Sequence, residues 1–560
     1  MAATVSNAGV QAPIRVEPKP AQAVSAARVA VHVVTWNRKE MCDRCLSAIA
    51  EQSHGADRLD VVVIDNGSTD GTVEWLTEKW NPERAVENPT ERAHEPAFSA
   101  PREREGAVNA GGFRSLTIVA NAHNHGGCGG FNTGFAFTES FHDRGEGDRP
   151  DFVWLVDDDA IPHERCLEHL VRAGESHDSV GLVGSRMVDM TDHAHTLETT
   201  VYFTPSNGLL GPAPEPGHPM YEPHRHWISP LGGKAHGYGE FTGVRDVDVQ
   251  AACSLLGRWD RVKEIGFWDS RYFIYNDDAD WCLRFRKAGY RVLINLDAVV
   301  YHEPWHAKVT PARAYYGQRN VVWMCQKIMA PGPLRRVTAR RMGWLMLGAS
   351  RALVRRRVFH GELICKTAAD IMDNRGGKLA FTEPAKEDLV AAMSRSGALH
   401  TGGRVVFLVK EPYMLTHAIN TRDAVRSALT ERGQSSREPR WVFVVRNSAM
   451  PTEDFASGDD RSELIEYGSR IRSRWVRKQL PFLLKSPDLA VVFDQNNDFP
   501  LLSGGWTAHI DTRASTVAQA ERTGLKERAR LAGRIAATGV RSAWFAATVK
   551  PQTHRGRFGV

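Results

Sequence analysis

The sequence predicts an α/β protein built on a mainly parallel central sheet, and three features point to it. Short β-branched runs alternate with helical stretches from Val29 onward, as βαβ units do. Runs such as "VAVHVV" and "VVVID" are apolar without alternation, the pattern of strands covered on both faces. Polar and acidic residues follow these runs, at the strand ends where open α/β sheets bind ligands.

Each element follows in order. Residues 1–27 are rich in Ala, Val and Pro but lack the apolar core of a signal peptide, so they read as a flexible leader. "RVAVHVVTW" is the first strand and "MCDRCLSAIAEQ" the first helix, with apolar positions at helical spacing. Cys42 and Cys45 form a CxxC there, yet no second pair completes a zinc set, and they read as ordinary helix cysteines. "LDVVVIDNGS" and "TVEWLTEKW" repeat the unit. Residues 82–112 carry Pro, Glu and Arg with almost no apolar periodicity and read as a solvated insertion. "LTIVANA" resumes the sheet, and the glycine-rich "NHGGCGGFNTGFAFTES" leads into a helix. "DFVWLVDDDA" is the next strand and "ERCLEHLVRAG" the next helix. Residues 205–245, dense in Gly, Pro, His and Tyr, predict a long irregular loop over the sheet. "CSLLGRWDRVKEIG", "NDDADWCLRFRKAGY" and "RVLINLDAVVYHEPW" complete a unit spanning 28–330.

Beyond it, residues 331–399 include "RRVTARRMGWLMLGASRALVRRRV", whose arginines flank an apolar centre. Such a helix can lie on an anionic membrane surface or pack against protein with its arginines solvated, and the sequence leaves both open. Residues 400–560 hold the strand-like "GRVVFLVK", "RWVFVVRN" and "LAVVFDQN", then a basic helical end, and predict a smaller α/β unit.

Composition narrows the function classes. A net charge of +5 over 560 residues is too small for the whole surface to bind a polyanion, so no nucleic-acid partner is expected. Eight cysteines in no recognisable framework read as reduced thiols, which favours the cytoplasm. No uncharged apolar run reaches the ~18 residues of a membrane span. Association with a membrane would then be peripheral, on its cytoplasmic face.

The chemistry gathers at the strand ends. Asp157, Asp158 and Asp159 repel one another unless something offsets their charge. A hard cation, Mn²⁺ or Mg²⁺, wants carboxylate oxygens, and Asp157 and Asp159 can reach one ion while Asp158 turns elsewhere. One aspartate would suffice as a helix cap, so three favour metal. Thr35, Asn37 and Arg38 follow the first strand and Asp65 the second. An acid there can accept hydrogen bonds from a base or ribose, although "DNGSTDG" is also a plausible turn. "NHGGCGGFNTG" supplies glycines for close approach to a ligand, but matches neither the dinucleotide nor the P-loop pattern.

In order, "VVTWNR", "VIDNGSTDGT", "NHGGCGGFNTG", "WLVDDDA", "NDDADWCLR" and "VVYHEPW" resemble the GT-A fold of family 2 glycosyltransferases, over about residues 29–325. Within that family they are most similar to bacterial galactofuranosyltransferases of cell-wall galactan synthesis, with rhamnosyltransferases as near relatives. The resemblance implies that Thr35, Arg38, Asp65 and Asn124 hold the nucleotide, with Asp157 and Asp158 beside them. It implies that Asp157, Asp159 and His302 hold Mn²⁺ or Mg²⁺ on the donor diphosphate, and that Asp278 is the base. Asp277 beside it would raise its pKa. Trp281, Trp305 and Asp277 are candidate acceptor contacts, and Arg284 suits an i,i+4 pair with Asp280.

The expected activity is a metal-dependent inverting transfer of galactofuranose from UDP-galactofuranose, or of rhamnose from dTDP-rhamnose, to a polyprenyl-diphosphate-linked glycan. A nucleotidyltransferase would need a basic triphosphate loop, for which Arg38 alone is thin support. A non-catalytic glycan-binding protein would have no need of the acidic residues.

Overall fold

The computed structural model describes residues 25–145, 149–303, 311–354, 357–382, 386–400, 402–446, 449, 459–467, 487–493, 505–510 and 517–559. Most of the expected leader lies outside these residues.

The chain opens with β1 (Val29–Thr35), α1 (Lys39–Ala50), β2 (Leu59–Asp65) and α2 (Thr72–Trp80). Cys42, Cys45, Leu46 and Ile49 form the buried stripe of α1, so both cysteines are core residues, and all eight cysteines are free and buried. The expected insertion is only partly irregular. It contributes β3 (Arg84–Asn88) and β4 (Arg102–Glu103), and β3 runs parallel to β5 (Ser115–Asn121). The polar "RAVEN" gives little apolar signal because only Val86 and Asn88 of β3 are buried.

Then come α3 (Gly126–Phe141), β6 (Phe152–Asp157), β7 (Ile161–Pro162), α4 (Cys166–Glu175) and β8 (Val180–Asp189). The glycines of α3 serve packing more than ligand approach. A Cβ on Gly130 would stand 2.5 Å from Val34 Cγ1, and one on Gly134 would stand 2.8 Å from His32 Nδ1, so the helix lies close on β1. Only Gly127 in this run faces open space.

The predicted long loop holds more structure than expected. After β9 (His195–Glu198) it forms a hairpin of β10 (Tyr202–Thr204) and β11 (Leu209–Gly211), helix α5 (Tyr221–Ile228) and β12 (Gly237–Tyr238). The unit closes with β13 (Val244–Val247), β14 (Ser254–Arg258), α6 (Trp259–Ile265), α7 (Asp277–Lys287) and β15 (Arg291–His302).

These strands form one sheet in the order β12-β9-β8-β14-β6-β1-β2-β5-β3-β4, with β15 beside β8. β1 is its hub, parallel to β2 on one side and β6 on the other, with Val29, Val31 and Val33 fully buried. Each such side chain contributes roughly 1.5–3 kcal/mol. Pairing Thr35 with Asp65, and Val34 with Asp157, brings three strand ends level at one edge.

Helices α8 (Pro311–Ile328), α9 (Pro331–Val354) and α10 (Val358–Met372) follow. α9 buries Leu334, Val337, Met342 and Leu345 but exposes Trp344 and Leu347, so its apolar centre is divided between packing and solvent. A second sheet is built from β16 (Lys386–Asp388), β17 (Arg404–Val409), β18 (Arg440–Arg446), β19 (Ser462–Tyr467), β20 (Leu489–Phe493), β21 (Trp506–Ile510) and β22 (Val517–Arg522). Helices α11 (Leu389–Ser396) and α12 (Pro412–Glu431) belong to this unit. Its parallel core is ordered β19-β18-β17-β20-β21, the doubly wound pattern that reverses at its first strand. Helix α13 (Leu525–Thr548) then returns to pack with α9 and α10.

His32, in the middle of β1, shows the cost of this burial. Its Nε2 pairs with Thr138 Oγ1 at 2.8 Å, and burial, with His142 adding, lowers its pKa to about 3. The unfolded chain takes up a proton near pH 6.5, whereas the folded chain does not until about pH 3. Stability from this residue is complete above about pH 6.5 and is lost as pH falls toward 3. His32→Leu is expected to reduce the pH slope of unfolding free energy between pH 6 and 4 by up to about 1.4 kcal/mol per unit, measured by urea titration.

Candidate active site

At the carboxyl edge of the first sheet, the ends of β1, β2, β6 and β15 meet the start of α7. Asp158 accepts from Thr35 Oγ1 at 2.8 Å and from Arg38 Nη1 at 3.1 Å. The same guanidinium nitrogen reaches Asp159 Oδ2 at 3.0 Å. Burial lifts the Asp158 pKa to about 6 against the pull of Arg38, with the charge of Asp159 adding to the rise. The middle aspartate is thus anchored to the first βα turn.

Asp157, Asp159 and His302 supply that second grouping. Their ligand atoms all lie within 4.8 Å of one another. His302 Nδ1 is 2.6 Å from the Glu303 carbonyl, which assigns its proton to Nδ1 and leaves Nε2 as an acceptor. Nε2 stands 3.1 Å from Asp159 Oδ1, so two acceptors face each other across a gap that a proton or a cation must bridge. Two carboxylates and one imidazole match the needs of Mn²⁺ or Mg²⁺, and the carbonyl behind His302 fixes its orientation.

Asp65 ends β2 as a buried acid. Its Oδ2 accepts from the Ser68 amide at 3.0 Å, and burial raises its pKa above the usual carboxylate range. Its Oδ1 is buried without a hydrogen-bond partner among the described residues. A buried orphan acceptor costs about 1–3 kcal/mol, and a ligand N–H or O–H would satisfy it. Asn124 Oδ1 accepts from the Gly126 amide at 2.8 Å, and Asn66 ties the same turn to β2 by donating to the Gly126 carbonyl at 2.8 Å.

Across from the triplet, Asp278 sits half-buried in the first turn of α7. Its Oδ1 accepts from the Ala279 amide at 2.7 Å and its Oδ2 from Ala252 at 3.3 Å. Burial raises the pKa of both Asp277 and Asp278, and the charge of Asp278 raises Asp277 further. The two sides belong to one electrostatic site. Burial, and then the charges of Asp157, Glu198, Asp159 and Asp278, push the Cys253 thiol up, which places all four carboxylates around that side chain. A cleft of about 580 Å³ lined by Arg92, His123, Asn124 and Arg271 opens beside the Asn124 turn.

One expected acceptor contact, Trp281, does not stand. Trp281 is fully buried, its Nε1 donates to the Gly266 carbonyl at 2.9 Å, and it packs among Phe135, Trp268 and Phe285. It faces the core together with Ala279, Cys282, Leu283 and Phe285 of the same helix, whereas Asp278 in the first turn keeps partial exposure. Trp305 lies outside the described residues. Asp280 is structural: it pairs with Arg284 Nε at 3.1 Å and Lys327 Nζ at 2.9 Å.

Glu198 was not anticipated. It is half-buried on β9, and burial and the charge of Asp278 raise its pKa to about 7 against the pull of His302. A single acid in a short strand carries no sequence signal of its own.

If the donor cluster is a cation site, Asp159→Ala is expected to weaken Mn²⁺ binding by at least about 10–100-fold, read by calorimetry on the purified chain.

The family model described as "Glycosyltransferase like family 2" matches residues 26–325. The glycosyltransferase AglE of Haloferax volcanii is 24% identical over 336 residues, which span 57% of this chain and 80% of that protein. Among solved structures, the mannosyltransferase PcManGT from Pyrobaculum calidifontis, in complex with GDP-Man and Mn²⁺, aligns with a TM-score of 0.33 and 16% identity over 73% of this chain and 85% of its own. TarS of S. aureus aligns with a TM-score of 0.36 and 13% identity over 62% of this chain and 49% of its own. GalNAc-T7, solved with UDP, GalNAc and Mn²⁺, aligns with a TM-score of 0.37 and 10% identity over 56% of this chain and 51% of its own. The chain thus spans about half the length of these last two.

Proposed function

The chain belongs to the glycosyltransferase like family 2, with a GT-A-like fold, and from that premise we propose that it is a metal-dependent inverting transferase of galactofuranose to a lipid-linked cell-wall glycan. The observation that carries the metal-dependent reading is the convergence of Asp157, Asp159 and His302 within 4.8 Å. Those three residues would hold Mn²⁺ or Mg²⁺, which when bound supplies Lewis-acid stabilisation of the donor's diphosphate leaving group.

The chain's own residues account for the rest. Asp65 Oδ1, buried and orphaned, is suited to accept from the nucleotide base. Thr35 and Arg38 hold Asp158 and so brace the turn on which the nucleotide would lie. Arg38, already shared between Asp158 and Asp159, limits the repulsion within the triplet. Asn124 contributes to the same side.

On the acceptor side, Asp278 takes the proton from the attacking hydroxyl as the new C–O bond forms at the anomeric carbon and the bond to the diphosphate oxygen breaks. Two amides fix its orientation, and burial raises its pKa in the direction that suits a base. Asp278→Asn is expected to lower transfer by about 10²–10⁴-fold with donor affinity little changed. Parent-level turnover by that variant would sink the base assignment. The donor is tested by hydrolysis and thermal shift with UDP-galactofuranose and dTDP-rhamnose in parallel. A response to dTDP-rhamnose alone would replace the galactofuranosyl reading with the rhamnosyl one.

A lipid-linked acceptor calls for a membrane surface, and no helix of the described residues is long and apolar enough to cross a membrane. Peripheral binding is supported by α9, where exposed Trp344 and Leu347 stand among Arg335, Arg336, Arg340 and Arg351, and by exposed Val540 and Trp544 on the neighbouring α13. The full-length chain is expected to float with vesicles containing anionic lipid and not with neutral ones, and to be released as salt rises.

A further inference from the structure

Between α6 and α7, residues 271–276 deliver Asp277 and Asp278 to the site, and their backbone is strained. Phe273 (φ 68°), Tyr275 (φ 68°) and Asn276 (φ 60°) are all left-handed without being glycine. That conformation is costly for bulky side chains and persists only where the surroundings fix it.

Helix α8 fixes it. Asn320 Nδ2 stands 3.1, 2.8 and 2.7 Å from the carbonyl oxygens of Tyr272, Ile274 and Tyr275. Arg319 Nη2 donates to the carbonyls of Arg271 and Tyr272 at 3.0 and 2.8 Å, and its Nε donates to Asn320 Oδ1 at 3.0 Å. The remaining carbonyl, that of Phe273, accepts from the Cys128 amide at 3.2 Å and lies so close to Gly126 that a Cβ there would be 2.0 Å away. Every carbonyl from Arg271 to Tyr275 is therefore held. Both side chains are fully buried, at 0% exposure. Arg319 has no carboxylate partner among the described residues. Its charge rests on carbonyls, the Tyr315 hydroxyl at 3.0 Å and the faces of Tyr315, Tyr316 and Trp323. Burying a guanidinium this way is expensive, and an apolar side chain would fill the same space at less cost.

We propose that Arg319 and Asn320 are positioning residues for sugar transfer: they hold 271–276 in its left-handed form and so aim Asp278 at the acceptor hydroxyl. The inference rests on the reading of Asp278 as the base. It also assigns a task to α8, which lies outside the strand-end motifs.

Hydrogen exchange on the full-length chain without ligand tests the clamp directly. In Asn320→Ala, and in the near-isosteric Asn320→Asp that loses the amide donors, peptides covering 271–280 are expected to exchange about tenfold faster while β1 and β2 keep their protection. With Mn²⁺ and whichever of UDP-galactofuranose and dTDP-rhamnose the parent turns over, kcat is expected to fall about 100-fold with donor KM within about twofold. Adding Asp278→Asn to Asn320→Ala is expected to cost no more than Asp278→Asn alone. Arg319→Lys, which keeps the charge but cannot span these acceptors, gives the same pattern should the Asn320 variants fail to fold.

Unchanged exchange in 271–280, or a general loss of protection that includes β1 and β2, overturns the clamp. Parent-level transfer by Asp278→Asn instead removes the base, and with it the catalytic purpose of the clamp, whatever the exchange data show.

Discussion

Negative charge crowded into one cleft is the constraint on which the rest of this molecule turns. Asp65, Asp157, Asp158, Asp159, Asp278 and Glu198 gather at one edge of the sheet, where Arg38 pairs with Asp158 and Asp159. A second buried acidic cluster lies nearby in sequence and makes an instructive contrast. Burial alone would raise Asp269, but Lys327 at 2.6 Å and Arg271 hold it well below the usual carboxylate range. Lys327 also pairs with Asp280, which Arg284 balances from the other side. That cluster is neutralised from within, whereas Asp65, Asp158, Asp278 and Glu198 all have raised pKa values. In Asp269 the neighbouring cations outweigh burial, whereas in the other four burial outweighs the partners present.

The sheet makes the crowding possible. β1 pairs in register with both β2 and β6, so Thr35, Asp65 and Asp157 arrive level, and α3 lies close enough on β1 to seal it because Gly130 and Gly134 have no side chains. β15 runs parallel to β8 and ends at His302, which brings an imidazole to the triplet from far along the chain. The carboxylates thus sit on the ends of rigid strands, where little freedom remains for them to separate.

The helical region is tied into this arrangement. α8 grips the segment before α7 through Arg319 and Asn320, and Tyr315 links it onward to Asp370 of α10 at 2.6 Å. α10 and α9 pack with α13, which carries the exposed Trp544, so a continuous run of packed helices joins the basic outer surface to the residues beside Asp278. The second sheet repeats a doubly wound strand order with its own core of Val405, Phe407, Trp441 and Val491.

The sequence by itself determined the alternating α/β architecture and the acidic strand ends. Fully buried strands must be apolar throughout, and the polar residues that break those runs stand out: Asp65 after "VVVI", Asp157 after "FVWLV". Asp65 and the Asp157–Asp159 triplet were legible for that reason, whereas Asn124, His302 and the role of Asp278 came only through the resemblance. Tertiary structure decided what local pattern could not carry. β3 is an edge strand with two buried side chains, so "RAVEN" looked like solvated chain. Trp281 and Asp278 share one short helix, and only its packing shows that the tryptophan faces the core. The glycines of α3 looked suited to a ligand until the neighbours of their missing Cβ atoms proved to be Val34 and His32. Glu198 and the Arg319–Asn320 pair act across distances in sequence that no spacing rule spans, because their roles are set by which carbonyls and charges the fold brings against them.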